Sequence, residues 1–448
     1  MQKAPFVVPC RLLFVIASLH TGEAEQRMLY PVAALTMVML QTSALVSASR
    51  AGSTRPTKKG KEPSMSKPNL HIRQGRQEDI EPILDLLTEY ELPRQYFEPF
   101  YLNDSSYRPE QSWVVEQHGR LLSHLRIFDR WLRLGQAHLH VAGIGNVITA
   151  REARGQGYFG AIMRAMLPSL NAQGYLYSLL WTPQPTLYNR YGWVSLPQER
   201  TEARMPSHLS TTTMTPFRER DLPIIMQIYE TNNAERTGPF LRSARYWQQQ
   251  RAWLHEKPAQ FLVAHDTAMP LGYIRSRKKA GYVEVLEIGM TRAEKELGRA
   301  LLSAVTEGGK QSLRGHFPPS IQMLFQPEEY RLIPEESLMG RVIDLSALLR
   351  LVQPLWQTRL QAHPEIECTF SLSTSAGQAT VRVSRGSIQW AEGLSHKVPL
   401  LQEHELAHLL FRGVDRLAEQ TIDQLHTIAC LPVLFPAQDF VIWPSDAF

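Results

Sequence analysis

The sequence predicts an α+β protein made of two similar domains followed by a third of different make-up. Three observations carry this. Residues 70–90, LHIRQGRQEDIEPILDLLTEY, and residues 213–230, TMTPFRERDLPIIMQIYE, both read strand, turn, amphipathic helix. Each leads into a meander of strands that ends in a second helix. From about residue 340 the pattern changes to a helix, strands with Gly turns, and a further helix.

The elements follow in order. In both copies an Asp (Asp79, Asp221) stands near the helix start with a Pro (Pro82, Pro223) just inside it, a common way to begin a helix. The first meander is SWVVEQ, RLLSHLRIFDRWLRL and AHLHVAGIGNVIT, joined by the turns HG and GQ, and it feeds the helix YFGAIMRAMLPSLNAQ. The second is AQFLVAHD, PLGYIRSR and GYVEVLEIGM, feeding RAEKELGRALLSAV. A repeat of about 140 residues is too long for a solenoid and means two copies of one domain. The polar run SHLSTTT at 207–213 marks the boundary. The expected domains are therefore 70–206, 207–338 and 339–448, after an extension over 1–69. In the tail, RVIDLSALLRLV reads as a helix, ECTFSLSTSAGQATVRVSRGSIQWAEG as strands, EHELAHLLFRGVDRLAEQ as a helix, and FVIWP as a buried strand near the end.

The extension differs from the rest. Met28–Ser49 is uncharged and long enough to span a bilayer, and the stretch after Arg50, AGSTRPTKKGKEPSMSKP, reads as linker. Translation starting at Met65, a signal or anchor, and a transit peptide are the readings open to it. Glu23 and Glu25 before the apolar run, and Pro31 and Gln41 within it, oppose an anchor. We adopt the Met65 start, which gives a cytoplasmic protein with no membrane association of the mature chain.

Of the 448 residues, 43% are hydrophobic and 20% charged, as in a packed globular protein. A net charge of +5 fits an anionic co-substrate and gives no reason to expect nucleic acid. Cys10, Cys368 and Cys430 are far apart and odd in number, so no disulfide framework and no CxxC metal site is expected, which favours a reducing compartment.

One stretch carries chemistry. The last strand of the first meander runs into Arg154-Gly155-Gln156-Gly157, and apolar residues then recur at helical spacing (Phe159, Ile162, Met163, Met166, Leu170). Glycines let a ligand approach bare backbone, and the free N–H groups and dipole of the first helical turn favour an anion such as a pyrophosphate. The turn follows an antiparallel meander and lacks a P-loop lysine, so neither a Rossmann unit nor a P-loop is expected. Further on comes YLYSLLWTPQPTLYNRYGWV, a buried strand and then a short segment with Tyr188 and Tyr191.

A second motif, HELAH at His404–His408, matches the zinc-peptidase signature H-E-x-x-H. Its candidates for a third ligand are Glu419, Asp423 and His426. The continuation of metzincins is absent, because Phe411 and Val414 stand where Gly and His are required. Leu406, Leu409 and Leu410 form an apolar stripe and Gly413 suits a C-cap, so the motif reads as a tail helix with both histidines facing solvent and no metal.

The passage Val147–Gly192 resembles the GNAT acetyltransferase superfamily, whose turn R-x-x-G-x-G/A holds the pyrophosphate of acetyl-CoA. Arg154 and Gly157 match, and Phe159 departs from the small last residue. That departure is similar to the enhanced-intracellular-survival (Eis) acetyltransferases, and LYNRYGW stands in place of their I-Y-G-R-F-G-Y. The resemblance covers about residues 70–448. It implies two tandem GNAT-like domains, each a mixed sheet flanked by helices, and a sterol-carrier-like α+β domain. It implies acetyl-CoA contacts at Val147, Ile148 and Thr149, at the turn Arg154, Gly155, Gln156, Gly157, Tyr158, Phe159 and Gly160, and at Pro183 and Gln184. The second domain keeps Arg292 and Gly298 without the turn's spacing, so no cofactor site is expected there.

The resemblance also implies acetyl transfer to an amine of an aminoglycoside, a polyamine or a lysine side chain, in a homo-oligomer, trimer or hexamer. Tyr188 then matches the proton donor to the departing thiolate. The terminal carboxylate of Phe448 matches the general base, with Asp446 as a rival carboxylate. A free α-carboxylate has a reference pKa of about 3.5, and burial would raise it. The alternative is a non-catalytic protein that binds a ligand or partner through degenerate domains. The retained turn argues against it.

Overall fold

The computed structural model describes residues 70–196, 198–204, 212–253, 259–266, 269–291, 294–307, 309–414 and 428–448. The apolar run at 28–49, Met65, Arg292 and the three candidate ligands after His408 lie outside the described residues. Among the described residues no helix is long and apolar enough to cross a membrane.

The first segment contains β1 (Leu70–Gln74), α1 (Ile80–Leu87), α2 (Arg94–Leu102), β2 (Ser112–Gln117), β3 (Arg120–Leu134), β4 (Ala137–Thr149), α3 (Tyr158–Ala172), β5 (Tyr177–Trp181), α4 (Pro185–Asn189) and β6 (Val194–Ser195). The second contains β7 (Gln198–Ala203), β8 (Thr213–Pro216), α5 (Leu222–Asn233), β9 (Thr237–Phe240), α6 (Ala244–Trp253), β10 (Ala259–Asp266), β11 (Met269–Lys279), β12 (Tyr282–Met290), α7 (Lys295–Val305), β13 (Ser312–Gly315), α8 (Pro319–Gln322), β14 (Tyr330–Glu335) and β15 (Leu338–Val342). The tail contains α9 (Leu345–Leu360), β16 (Cys368–Thr374), β17 (Gly377–Ser384), β18 (Ser387–Glu392), β19 (Leu400–Gln402), α10 (Glu403–Arg412) and α11 (Leu431–Leu434).

The repeat read from the sequence has a physical counterpart at each helix start. The Asp79 carboxylate accepts the Arg76 backbone N–H at 2.7 Å, and Asp221 accepts that of Arg218 at 3.0 Å. Both close a turn that aims an apolar helix face at the sheet. The first sheet runs β1-β2-β3-β4-β5-β15-β6, with β9 also on β3, and the second runs β14-β7-β13-β12-β11-β10-β8. In each, an antiparallel meander is joined by one parallel pair, β4 with β5 and β12 with β13.

The two sheets exchange strands across the expected boundaries at 206 and 338. β7 lies in the second sheet, and β15 inserts between β5 and β6 of the first. RVIDLSALLRLV is accordingly not all helix. Arg341 and Val342 end β15, and α9 starts after Asp344, whose carboxylate accepts the Ala347 N–H at 2.8 Å. FVIWP is buried as expected, but it pairs only through a bridge from Phe440 to Thr237.

The tail forms a third sheet, β18-β17-β16-β19. Its apolar face and α9–α11 share one core with Leu134, Val141, Tyr177 and Leu179 of the first sheet. This overturns two expectations. Cys368 and Cys430 form a disulfide across 62 residues, because the start of α11 is folded back against the start of β16. Cysteine usage therefore gives no support to a reducing compartment. His408 is not in solvent either. It is 8% exposed, because α10 is buried on nearly every side, and only His404 of the pair is exposed. The helix acids are committed to backbone: Glu403 accepts the N–H groups of Val342 and Ser375, both at 2.7 Å, and Glu405 accepts that of Gln402 at 2.6 Å. Among the described residues no group of His, Cys, Asp and Glu is arranged to hold a metal.

A pH dependence follows from His408. Burial, helped by the Arg412 charge, pushes its imidazole down to about 4. An unfolded histidine titrates near 6.5, so between these values the unfolded chain takes up a proton that the folded one refuses. Stability is full above that range and is lost as the pH falls through it. From pH 7 to pH 5 this group is expected to remove about 2 kcal/mol. His408→Leu should flatten that part of the profile. Urea unfolding midpoints at the two pH values check it, and an unchanged slope would place the acid loss elsewhere.

Candidate active site

β4 and β5 pair in parallel from Val141↔Tyr177 to Ile144↔Leu180, and there the pairing stops. β5 ends at Trp181, whereas β4 continues to Thr149 along β3. The strands therefore part, and β4 residues 145–149 run on past the end of their pairing with β5. A register shift opposite Arg126, with Asn146 at φ 51°, bends β4 at the parting. The Asn146 carbonyl pairs with His124 Nδ1 at 2.9 Å. Burial pushes the His124 imidazole down to about 3, so at neutral pH it is an uncharged hinge for this bend.

Val147, Ile148 and Thr149 line the open end of β4. Ser123 Oγ donates to the Ile148 carbonyl at 3.0 Å and lies 2.8 Å from Thr149 Oγ1, which fixes the strand's last residues. Arg154 Nε then donates to the Thr149 carbonyl at 3.1 Å, folding the turn back on the strand. Gly155 and Gly157 have φ of 77° and 82°, which side chains rarely adopt, and a Cβ at either would meet nothing within 4 Å. The surface over the turn is bare backbone. Gly157 caps α3, and the N–H groups of Tyr158, Phe159 and Gly160 find no protein acceptor among the described residues. Gln156 takes the Tyr158 hydroxyl at 2.8 Å. A helix start of this kind, with an exposed arginine beside it, is chemically suited to an anion such as a pyrophosphate.

Two contacts bring α4 to the same place. The Phe159 ring meets Tyr188 edge-on at 5.4 Å and Tyr191 at 5.8 Å. Gly160 is needed for this approach, since a Cβ there would lie 2.5 Å from the Tyr191 hydroxyl. Pro183 and Gln184 form the link from β5, where the Gln184 N–H donates to Thr182 Oγ1 at 3.0 Å and Pro185 opens α4. Tyr188 is 6% exposed and packs with Ala142, Ile144 and Leu180. Burial pushes its hydroxyl up, and the hydroxyl makes no hydrogen bond among the described residues.

Phe448 lies on the opposite face of the same parting. Its ring stacks on Phe128 at 4.9 Å and meets Trp181 edge-on at 5.0 Å. Gly143 gives it room, for a Cβ there would fall 2.2 Å from the ring. The terminal carboxyl carbon is 3.4 Å from where a Gly145 Cβ would stand, beside the point at which β4 leaves β5. Asp446 is not beside it in role. Its oxygens accept from Arg242, Tyr246 and Gln250 in a fully buried network with Glu287, which anchors the tail.

Sequence reasoning missed the wall that receives Phe448: Phe128, Trp181, Gly143 and Gly145. The alternation Gly143-Ile144-Gly145, small residues on one face of a buried strand, was the available signal. Leu324 sits 2.6 Å from where a Gly298 Cβ would be and fills the space against α7.

A parted parallel strand pair, a bare-backbone turn at a helix start and a buried tyrosine meet at one end of the first sheet. The acetyltransferase (GNAT) domain family matches residues 71–195, a little over a quarter of the chain. Among solved structures, a GCN5-related N-acetyltransferase from Kribbella flavida is 17% identical with a TM-score of 0.61, over 85% of this chain and 99% of its own. One from Anabaena variabilis is 16% identical with a TM-score of 0.62, over 85% and 100%. Eis1 from Mycobacterium abscessus is 13% identical with a TM-score of 0.59, over 85% and 100%. These likenesses establish the fold. No curated protein matches the chain by sequence.

Removal of the bare backbone should remove the cradle. Gly157→Glu is expected to lower acetyl-CoA affinity by at least about a hundredfold, through a side chain forced into φ 82° and a carboxylate facing a pyrophosphate. Calorimetric titration checks it, with circular dichroism to show that the variant folds. Normal affinity would displace the cofactor from this turn.

Proposed function

We propose that the protein is an acetyl-CoA-dependent N-acetyltransferase of the Eis type, acting on an amine by direct attack. The observation that carries this is the parting of β4 and β5, which has the cradle and Tyr188 on one face and the Phe448 carboxylate on the other. A pantetheine arm entering from the cradle side brings its thioester into the gap. An amine arriving from the Phe448 side meets it there.

In this reading the Phe448 carboxylate takes the amine's proton and passes it to water. The nitrogen bonds the acetyl carbon, the C–S bond breaks, and Tyr188 donates its proton to the departing sulfur, to be reprotonated from solvent. Backbone N–H groups at the end of β4 polarise the carbonyl. The products are an acetamide and free CoA thiol. Burial keeps the Tyr188 hydroxyl protonated until the thiolate charge develops. The second domain serves as scaffold without a cofactor, and the sterol-carrier-like tail delivers the terminal carboxylate. The cytoplasmic placement rests on the Met65 start.

Saturable binding of acetyl-CoA, followed by thiol release on adding amines, tests the proposal. Binding without release from any amine favours the non-catalytic alternative.

A further inference from the structure

The tail meets both halves of the protein at the same place. In β3, Arg126 stands three residues after Ser123, which pairs with Thr149 at the end of β4. In β11, Arg275 stands three residues after Gly272, which pairs with Met290 at the end of β12. Both arginines are buried, lie beside a register shift and bond the second helix of their half: Arg126 the Phe100 carbonyl of α2, and Arg275 the Gln250 side chain of α6 at 2.6 Å. In the first half Arg126 pairs in register with Gly145, and there Phe448 lies. In the second half Arg275 pairs with Glu287, and there Ser445 and Asp446 lie. Ser445 Oγ donates to Glu287, and Gln250 Nε2 donates to the Ser445 carbonyl at 2.6 Å and to Asp446 Oδ1 at 2.9 Å. Arg242 holds two buried carboxylates at once, Glu287 and Asp446, the second at 2.7 Å. The Tyr246 hydroxyl donates to Asp446 at 3.0 Å, while its ring centroid lies 5.3 Å from the Arg130 guanidinium of β3.

We infer that this cluster is a clamp that sets the terminal carboxylate, and that Tyr246 and Gln250 of the second half are positioning residues for acyl transfer. The inference rests on the reading of Phe448 as the base. Asp446 is two residues from the terminus, at most about 7 Å of extended chain. The Phe448 ring is stacked on Phe128, but stacking fixes the ring and leaves the carboxylate free to turn about the Cα–Cβ bond. A second anchor just upstream removes that freedom. Buried ion pairs add little net stability, and their best attested use is to specify one geometry. A displacement of about 1 Å can cost ~10²-fold in rate, so a loosened clamp shows as lost turnover before it shows as lost fold.

The test is a mutant cycle in the full chain, reading thiol release from acetyl-CoA with spermidine, kanamycin and a lysine peptide as acceptors. Tyr246→Phe keeps the ring beside Arg130 and loses one bond to Asp446. Gln250→Leu loses the bonds to Ser445 and Asp446, and either variant serves alone if the other fails to fold. Each is expected to lower kcat by about tenfold with the KM for acetyl-CoA unchanged. The same substitutions are then made in a chain extended by a few residues past Phe448, which lacks the carboxylate at that place. There neither should lower the remaining rate further, because both act through a group already lost. A folded variant with normal kcat overturns the clamp. An equal loss in the extended chain also overturns it, as general loosening. Normal turnover of the extended chain removes the base, and the clamp with it, while leaving acetyl transfer itself intact. No release with any of the three acceptors, in protein that binds acetyl-CoA, overturns the transferase reading and the inference together.

Discussion

Adding a few residues after Phe448 is expected to lower thiol release by about a hundredfold or more, while acetyl-CoA binding survives. The extension replaces a carboxylate by an amide at the one place where the tail meets the parting of β4 and β5. The ring need not leave. Its stacking on Phe128 and its space over Gly143 do not involve the terminal oxygens. Charge and proton-accepting capacity are lost with packing kept, which separates chemistry from folding. The same peptide at the N-terminus is the control. Normal turnover of the extended chain would remove the base role. Asp446 could not inherit it without breaking the buried Arg242 network, so Asp446→Asn is expected to cost stability.

Tyr188→Phe is expected to lower kcat by about 10²–10⁴-fold with little change in acetyl-CoA affinity. The ring packs edge-on against Phe159 and Trp193, and phenylalanine keeps both contacts. Only the hydroxyl is lost, and no described residue depends on it for a hydrogen bond. Stability should therefore hold, or rise slightly, because a buried hydroxyl is removed. Stopped-flow measurement of thiol release under saturating acetyl-CoA checks the rate, and near-normal turnover would leave Tyr188 as packing.

Local signals were read well, and long-range ones were not. The three strands of the first meander occur at Ser112–Gln117, Arg120–Leu134 and Ala137–Thr149, where alternation and turn residues placed them. The glycine turn and the helix after it were equally plain, because φ above zero and helical periodicity are properties of neighbouring residues. What could not be read depends on partners far away in the chain. Cys368 and Cys430 looked isolated because no local pattern shows that α11 returns to β16. His408 looked exposed because the apolar stripe on α10 marks one buried face, and nothing local shows that the helix is buried on its other side as well. Nothing local in the strand marks Arg126 and Arg130 as buried. Their burial depends on α2 and the loop carrying Asp104 folding over them.

The insertion of β15 between β5 and β6 has a consequence for biosynthesis. Among the described residues β6 pairs only with β15, and β5 pairs on that side with β15 alone. The first sheet is therefore incomplete until residues 338–342 have been made. At ~5–20 residues per second, the ribosome needs roughly 10–30 s to travel from β5 to β15. Throughout that interval the nascent chain holds an apolar strand edge with unpaired N–H and C=O groups, a template for wrong pairing. The segment before residue 206 is thus not expected to fold as a self-sufficient module. A chain stopped near residue 206 should emerge insoluble, and supplying 207–448 as a separate polypeptide should rescue it only if β15 reaches the waiting edge before aggregation does.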